Sequence, residues 1–103
     1  MTETDLIRFV EAQAQVYNQV VEELTDGHKR THWMWFIFPQ LSGLGHSAMA
    51  QRYAIQDMNQ ARRYLGDPIL GHRLRHDVRL TVGHKGKSAL EIFGPPDDLK
   101  FRS

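Results

Sequence analysis

Apolar positions recur at three- and four-residue spacings along most of this chain, the signature of helices that bury one face. The clearest stripe runs from Asp5 to Asp26, where Leu6, Phe9, Val10, Tyr17, Val20, Val21 and Leu24 predict one amphipathic helix. Thr4 is placed to cap its start, Asp5 suits the positive end of the helix dipole, and Gly27 suits the left-handed position that ends a helix. Ser47 opens a shorter turn through Ala50 to Tyr53. Asp57 with Gln60 approximates a capping box, after which Met58, Ala61 and Leu65 are expected to face inward until Gly66. Asp67-Pro68 is a further start, because proline at the first helical position loses a hydrogen bond that was unavailable anyway. Ile69, Leu70, Leu74, Val78 and Val82 then keep helical spacing to Gly83. Ser88 to Glu91 spells a capping box for a short helix ending at Gly94, and Asp97 reads as another N-cap after Pro95-Pro96.

The central run His32-Trp33-Met34-Trp35-Phe36-Ile37-Phe38 breaks this pattern. Its aromatic composition suits a strand, but no second convincing strand exists to pair with it, and a lone strand leaves its backbone unsatisfied. As a helix it is apolar all round and belongs in the middle of a bundle. Pro39 ends it, holding Phe38 extended. The expectation is an all-α fold: a compact multi-helix domain around the buried aromatic segment Trp33–Phe38, with the first helix and the 67–83 helix packed against it. Only six residues follow Asp97, too few for an unaided helix. The reading is therefore one helical domain over residues 1–103, lacking its C-terminal end.

Composition narrows the function classes. Thirteen Lys and Arg against twelve Asp and Glu leave a net charge of +1, which gives no electrostatic argument for DNA or RNA. The absence of cysteine excludes disulfides, thiolate nucleophiles and Cys-based zinc sites. The acidic, polar start Met1-Thr2-Glu3-Thr4-Asp5 is unlike a signal peptide, and the longest apolar run, Trp33 to Phe38, is far short of the ~20 residues needed to cross a bilayer. These features predict a cytoplasmic protein with neither nucleic-acid nor membrane partners.

The block Lys29-Arg30-Thr31-His32-Trp33-Met34-Trp35-Phe36-Ile37-Phe38-Pro39-Gln40-Leu41 is distinctive, as are Gly43-Leu44-Gly45 and Met49-Ala50-Gln51-Arg52-Tyr53-Ala54-Ile55. With Ala61, Tyr64-Leu65, Pro68, Leu70-Gly71, Arg73-Leu74, Ser88, Glu91-Ile92-Phe93-Gly94 and Asp97-Asp98-Leu99-Lys100, the sequence resembles the bacterial family called domain of unknown function 1810. The resemblance covers essentially the whole chain. It implies a mainly α-helical fold and members that continue further, through a Ser-rich, Phe-containing helix. Some members carry a calpastatin label, but no repeated inhibitory motif is visible here. The resemblance supplies no reaction.

Candidate chemistry must therefore come from the residues. Arg30, His32, Trp33 and Trp35 precede Gln40 and a loop containing Gly43 and Gly45. A glycine-containing loop leading into a helix start can offer N–H groups to an anion, Arg30 a bidentate clamp, and an indole a stacking face. His32 could serve as acid or base, and Tyr53 with Arg52 could close over the same cleft. The alternative is that the aromatics are core and the glycines make a turn. His28 with His32, and His72 with His76, have the four-residue spacing of zinc ligands on a helix. The second pair sits among Arg73, Arg75 and Arg79, which would repel a cation, so no metal or other cofactor is expected. Asp97, Asp98 and Lys100 could do acid–base work, or the aspartates could simply cap a helix. From this end, Asp98 and Lys100 are the candidates for a site.

The leading expectation is a site that binds, or binds and acts on, an anionic or nucleotide-like small molecule, built from Arg30, His32, Trp33, Trp35, Gln40, Gly43, Gly45, Tyr53 and Lys100. The rival is a non-enzymatic protein-interaction or structural module whose aromatic segment or C-terminal end packs on a protein partner or a second copy; in either case the protein is expected to be a monomer or weak homodimer.

Overall fold

The computed structural model describes residues 4–44, 47–84, 86–95 and 97–102, the side chains of Thr4, Leu99, Lys100 and Arg102 excepted. A 3-10 turn (Thr4–Leu6) leads into α1 (Ile7–Ala14), followed by α2 (Tyr17–Asp26), α3 (Met34–Ile37), α4 (Ala48–Arg52), α5 (Met58–Gly66), α6 (Leu70–Val82), α7 (Ala89–Phe93) and α8 (Asp97–Arg102). The all-α expectation is met. Among the described residues the only β pairing is an isolated parallel bridge between Leu41 and Ile55.

The first stripe is not one helix. It breaks at Gln15 and Val16, where Val16 donates to Gln13 O and itself accepts from Val20 as α2 begins. No proline or glycine lies there. The break follows from packing instead: α1 lies on α3, whereas α2 lies on α6, and two partners need two axes. Three predicted starts carry side-chain caps. Ser47 Oγ accepts from Ala50 N at 3.1 Å, Asp57 Oδ1 from Gln60 N at 2.8 Å, and Ser88 forms the full capping box with Glu91. Asp67 Oδ1 accepts from Ile69 N and Leu70 N at 2.9 and 3.0 Å, bracing the α6 entry. Thr4's predicted capping role lies outside the described side chains.

Gly27 ends α2 at φ 72°, with His28 N donating to Glu23 O. A Cβ at Gly27 would also meet the His84 ring at 2.9 Å, so both conformation and space favour glycine. His84 Nε2 reaches Leu24 O at 2.6 Å and Lys87 Nζ donates to Gly27 O at 3.2 Å, covering carbonyls at the negative end of the helix.

The central run forms the short helix α3 flanked by Trp33 and Phe38, and Trp33, Met34, Phe36, Ile37 and Phe38 are all buried. Around it an aromatic cluster joins Trp33, Phe38, Phe93 and Phe101, with Phe38 and Phe101 in edge contact at 5.0 Å between centroids. A second cluster joins Phe9, Phe36, Tyr53 and Tyr64. The predicted docking of the 67–83 helix needs correction: α6 packs chiefly on α2 and α5. Its stripe also divides. Leu70 is fully buried and Leu74 half-buried, but Ile69, Val78 and Val82 are exposed, as are Met58 and Leu65 of α5. Apart from the break at Gln15–Val16, the apolar pattern located the helices, but part of it faces outward.

Candidate functional site

The loop between α2 and α3 is organised by a residue that periodicity alone marks as misplaced. Glu23 follows Val20 by three residues on the inner face of α2 and is 0 % exposed. Its carboxylate accepts from Arg30 N (2.6 Å), Thr31 N (2.9 Å), Thr31 Oγ1 (2.7 Å), Trp33 Nε1 (3.0 Å) and Gln19 Nε2 (2.8 Å). Burial alone would push its pKa up, but donation from Thr31, Arg30 N and Gln19 outweighs it and brings the group down to about 2. Such a carboxylate holds a loop in place. With its lone pairs occupied, it is a poor base.

This arrangement decides where several candidate ligand residues go. Trp33 is 0 % exposed, with its indole N–H spent on Glu23 and Lys29 Nζ 5.2 Å from its ring centroid. Lys29 in turn pairs with Asp97 at 2.8 Å and donates its backbone N–H to Ile92 O. Arg30 and His32 are exposed, and Arg30 pairs with Asp26 at 2.9 Å. Trp35 is half-buried. Gln40 and Gly43 line a separate cavity of about 370 Å³ with Leu41, Ser42, Ala50, Gln51 and Ala54. Gly43 is at φ 95°, a conformation that requires glycine there. Tyr53 is buried against Phe9 and Phe36 and borders a third space, of about 300 Å³, near Arg8, Glu11 and Arg52. Arg8 already donates to Arg52 O and Ala54 O at 3.0 and 3.1 Å. Asp98 is buried in the first turn of α8. Gly45 and the Lys100 side chain lie outside the described residues. Among the described candidates convergence is absent: Gln40 and Gly43 share one opening, Tyr53 borders another, and neither Arg30 nor His32 borders any of the three cavities described.

A second buried acid lies on the seam between α2 and α6. Asp77, 1 % exposed, accepts from Tyr17 OH at 3.0 Å, and the Arg73 guanidinium sits 4.5 Å from the Tyr17 ring. Burial raises the Asp77 carboxyl to about 7, against the opposing pull of Tyr17 and Arg73. Burial and the nearby carboxyl also push the Tyr17 phenol upward. Beside them Gln13, fully buried, donates to Phe36 O at 2.8 Å and Tyr64 OH at 3.1 Å. None of the three cavities reaches Asp77. His72 and His76 stack with parallel rings on the surface of α6, centroids 6.5 Å apart. Among the described residues no group of three or more His, Cys, Asp or Glu is placed to hold a metal ion.

The opening with the most coherent chemistry is apolar. A groove of about 410 Å³ runs between α5 and α6, walled by Leu65, Leu74 and Val78 and floored by Phe38, Ile55 and Tyr64, with Leu41 and Phe101 at its rim. Leu41, Leu65 and Val78 are 48 %, 44 % and 37 % exposed. The sequence signal for this groove existed: Leu65 and Val78 belonged to the predicted stripes, but periodicity cannot tell a face covered by the same chain from one left open.

The family model described as protein of unknown function (DUF1810) matches residues 3–103. Among solved structures, the conserved hypothetical protein Rv1873 from Mycobacterium tuberculosis is 57 % identical, with a TM-score of 0.92 over 94 % of this chain and 69 % of its own. No curated protein matches the chain. No helix among the described residues is long and apolar enough to cross a membrane.

Proposed function

The chain belongs to the DUF1810 family, and we propose that it works as a non-enzymatic interaction module that docks an apolar helical segment between α5 and α6. The observation carrying this reading is the groove itself, where exposed Leu41, Leu65 and Val78 flank a floor of Phe38, Ile55 and Tyr64. Concave apolar grooves between helices are the usual seats of amphipathic helices, and contiguous exposed apolar surface marks an interaction face. A bacterial cytoplasmic setting belongs to the same reading, supported by the cysteine-free sequence and the mycobacterial neighbour. So does the absence of nucleic-acid partners, in line with the balanced charge.

A second reading, an anionic or nucleotide-like ligand, is supported by the cavity that Gln40 and Gly43 share with Ser42 and Gln51. Two titrations separate them. Nile red, a neutral apolar dye, should brighten and shift to the blue with the wild-type protein. It should do so several-fold less with Leu65→Asp or Val78→Asp, at unchanged helical circular dichroism. Equal dye response in all three proteins would sink the groove reading. Saturable shifts of the Gln40 and Gly43 amides with phosphorylated metabolites would favour the ligand site instead.

A further inference from the structure

Of the three cavities described, one is lined by charged side chains: the space of about 300 Å³ bounded by α1, Phe36 and the end of α4. It shares no lining residue with the apolar groove or with the opening at Gln40 and Gly43, so its chemistry is independent of both readings above. Arg8, Glu11 and Gln15 follow one another at three- and four-residue steps along α1 and its C-terminal cap, which places them on one wall. Arg52, the last residue of α4, adds a second cation, its guanidinium 5.5 Å from the Tyr53 ring. Tyr53 and Phe36, both buried and with ring centroids 5.3 Å apart, give the cavity an aromatic floor.

The charges on these walls are not used up inside the fold. Arg8 donates to the backbone oxygens of Asp5, Arg52 and Ala54, so carbonyls hold its guanidinium in place. The neighbouring Asp5 carboxylate is engaged by Arg63 and Gln60. Among the described residues none of Arg8, Glu11 and Arg52 forms an ion pair. Arg8 and Arg52 make the basic end of the cavity, tied together because Arg8 Nε donates to Arg52 O at 3.0 Å. Glu11 lies about 5 Å further along the α1 axis, at a rise of about 1.5 Å per residue. Two cations and one acid over an aromatic floor suit a ligand with an anionic end, a short apolar stem and a positive end. We propose that this cavity binds a small zwitterion, with its carboxylate at Arg8 and Arg52 and its ammonium group at Glu11.

The test follows the amide signals of isotope-labelled protein during titration with three probes of similar length: γ-aminobutyrate, butyrate and butylammonium. γ-Aminobutyrate is expected to shift the Glu11, Gln15 and Tyr53 amides saturably, and to bind several-fold more tightly than either singly charged probe. Glu11 and Arg52 are exposed, so Glu11→Gln and Arg52→Gln should keep the melting temperature of the wild type. Arg52→Gln should weaken γ-aminobutyrate and butyrate alike, by about tenfold, through the loss of one charge-assisted contact. Glu11→Gln should weaken γ-aminobutyrate by a similar factor and leave butyrate no weaker. If butyrate binds as tightly as γ-aminobutyrate and Glu11→Gln changes nothing, the zwitterion assignment falls. If the Glu11, Gln15 and Tyr53 amides stay unmoved with all three probes, the site itself falls.

Discussion

Two carboxylates in this protein are equally shielded from solvent and are treated in opposite ways. Glu23, at the end of α2, is 0 % exposed and held down to about 2; Asp77, on α6, is 1 % exposed and raised to about 7. Burial disfavours the charge at both sites. The difference lies in the donors: five reach Glu23, from two backbone N–H groups and the side chains of Gln19, Thr31 and Trp33. At Asp77 the one side-chain donor among the described residues is Tyr17. Hydrogen bonds to the ionised form let a fully covered acid keep its charge, and Asp77, set deeper in protein with fewer donors, does not. The Glu23 region is thus a closed, charged fastening for the 28–33 loop, and the Asp77 seam is neutral below pH 7 and gains its charge as pH rises through that value.

The comparison breaks most visibly at Glu23. Replacing it with alanine strands four donor groups and a buried indole N–H, and should cost about 3–5 kcal/mol, the range for breaking a buried charged network. Urea unfolding at neutral pH measures this. A loss below about 1 kcal/mol would mean that the loop does not depend on the carboxylate. Acid provides a milder version of the same experiment. Because the folded group lies below its ordinary value of 4.5, its contribution is present above about pH 4.5 and is lost as pH falls through about 2.

Asp77 predicts the opposite slope. Its folded value of about 7 exceeds the ordinary 3.8, so its contribution is full below about pH 4 and is lost as pH rises through 7. At ~1.4 kcal/mol per unit, the loss reaches at most about 4 kcal/mol. Asp77→Asn keeps an oxygen to accept from Tyr17 and removes the charge. It should match the wild type below about pH 4, exceed it increasingly as pH rises from there to 8, and flatten stability over that range. Together the two acids set a stability maximum near pH 4–5 in urea titrations. Identical pH profiles for wild type and Asp77→Asn would show that Asp77 is ionised in the fold at little cost.

These two acids also show what could be read from sequence and what could not. Caps and stops are local, so Ser47, Asp57, Asp67, Ser88 and Gly27 could be placed from their neighbours alone, and so could the short helix within the buried segment Trp33–Phe38, which had no strand to pair with. Glu23, Asp77 and Gln13 sit on inward faces of their helices, where a polar residue signals a buried partner. Periodicity registers such residues as gaps, and their partners are remote: Tyr17 and Asp77 are 60 residues apart. The candidate ligand residues were grouped by closeness in sequence. In the fold, Glu23 draws the Trp33 indole inward while Arg30 and His32 stay outside. Leu65 and Val78 show the complementary problem, because an outward apolar face has the same period as an inward one.

The comparison is sharpened by deleting a single hydroxyl donor at each acid. Thr31→Val removes the 2.7 Å hydrogen bond to Glu23 while both backbone donors stay in place. A hydrogen bond to a charged group is worth about 1.5–3 kcal/mol, and the loss should be of that size at pH 7. The acid limb should also move to higher pH, since Glu23 loses a donor that favours its charge.

Tyr17→Phe should cost less, about 1 kcal/mol, because near pH 7 much of Asp77 is already neutral and the bond is closer to an ordinary one. Its signature lies in the pH dependence. Without the phenol donor the charged carboxyl loses its side-chain support, the folded pKa climbs further, and the downward slope of stability extends to higher pH. The phenol ring itself contributes packing under Arg73, which phenylalanine retains. If Tyr17→Phe and Thr31→Val cost the same and shift neither pH limb, donor number does not separate the two acids. Their contrast would then come from the denser protein surroundings of Asp77 and not from its donors.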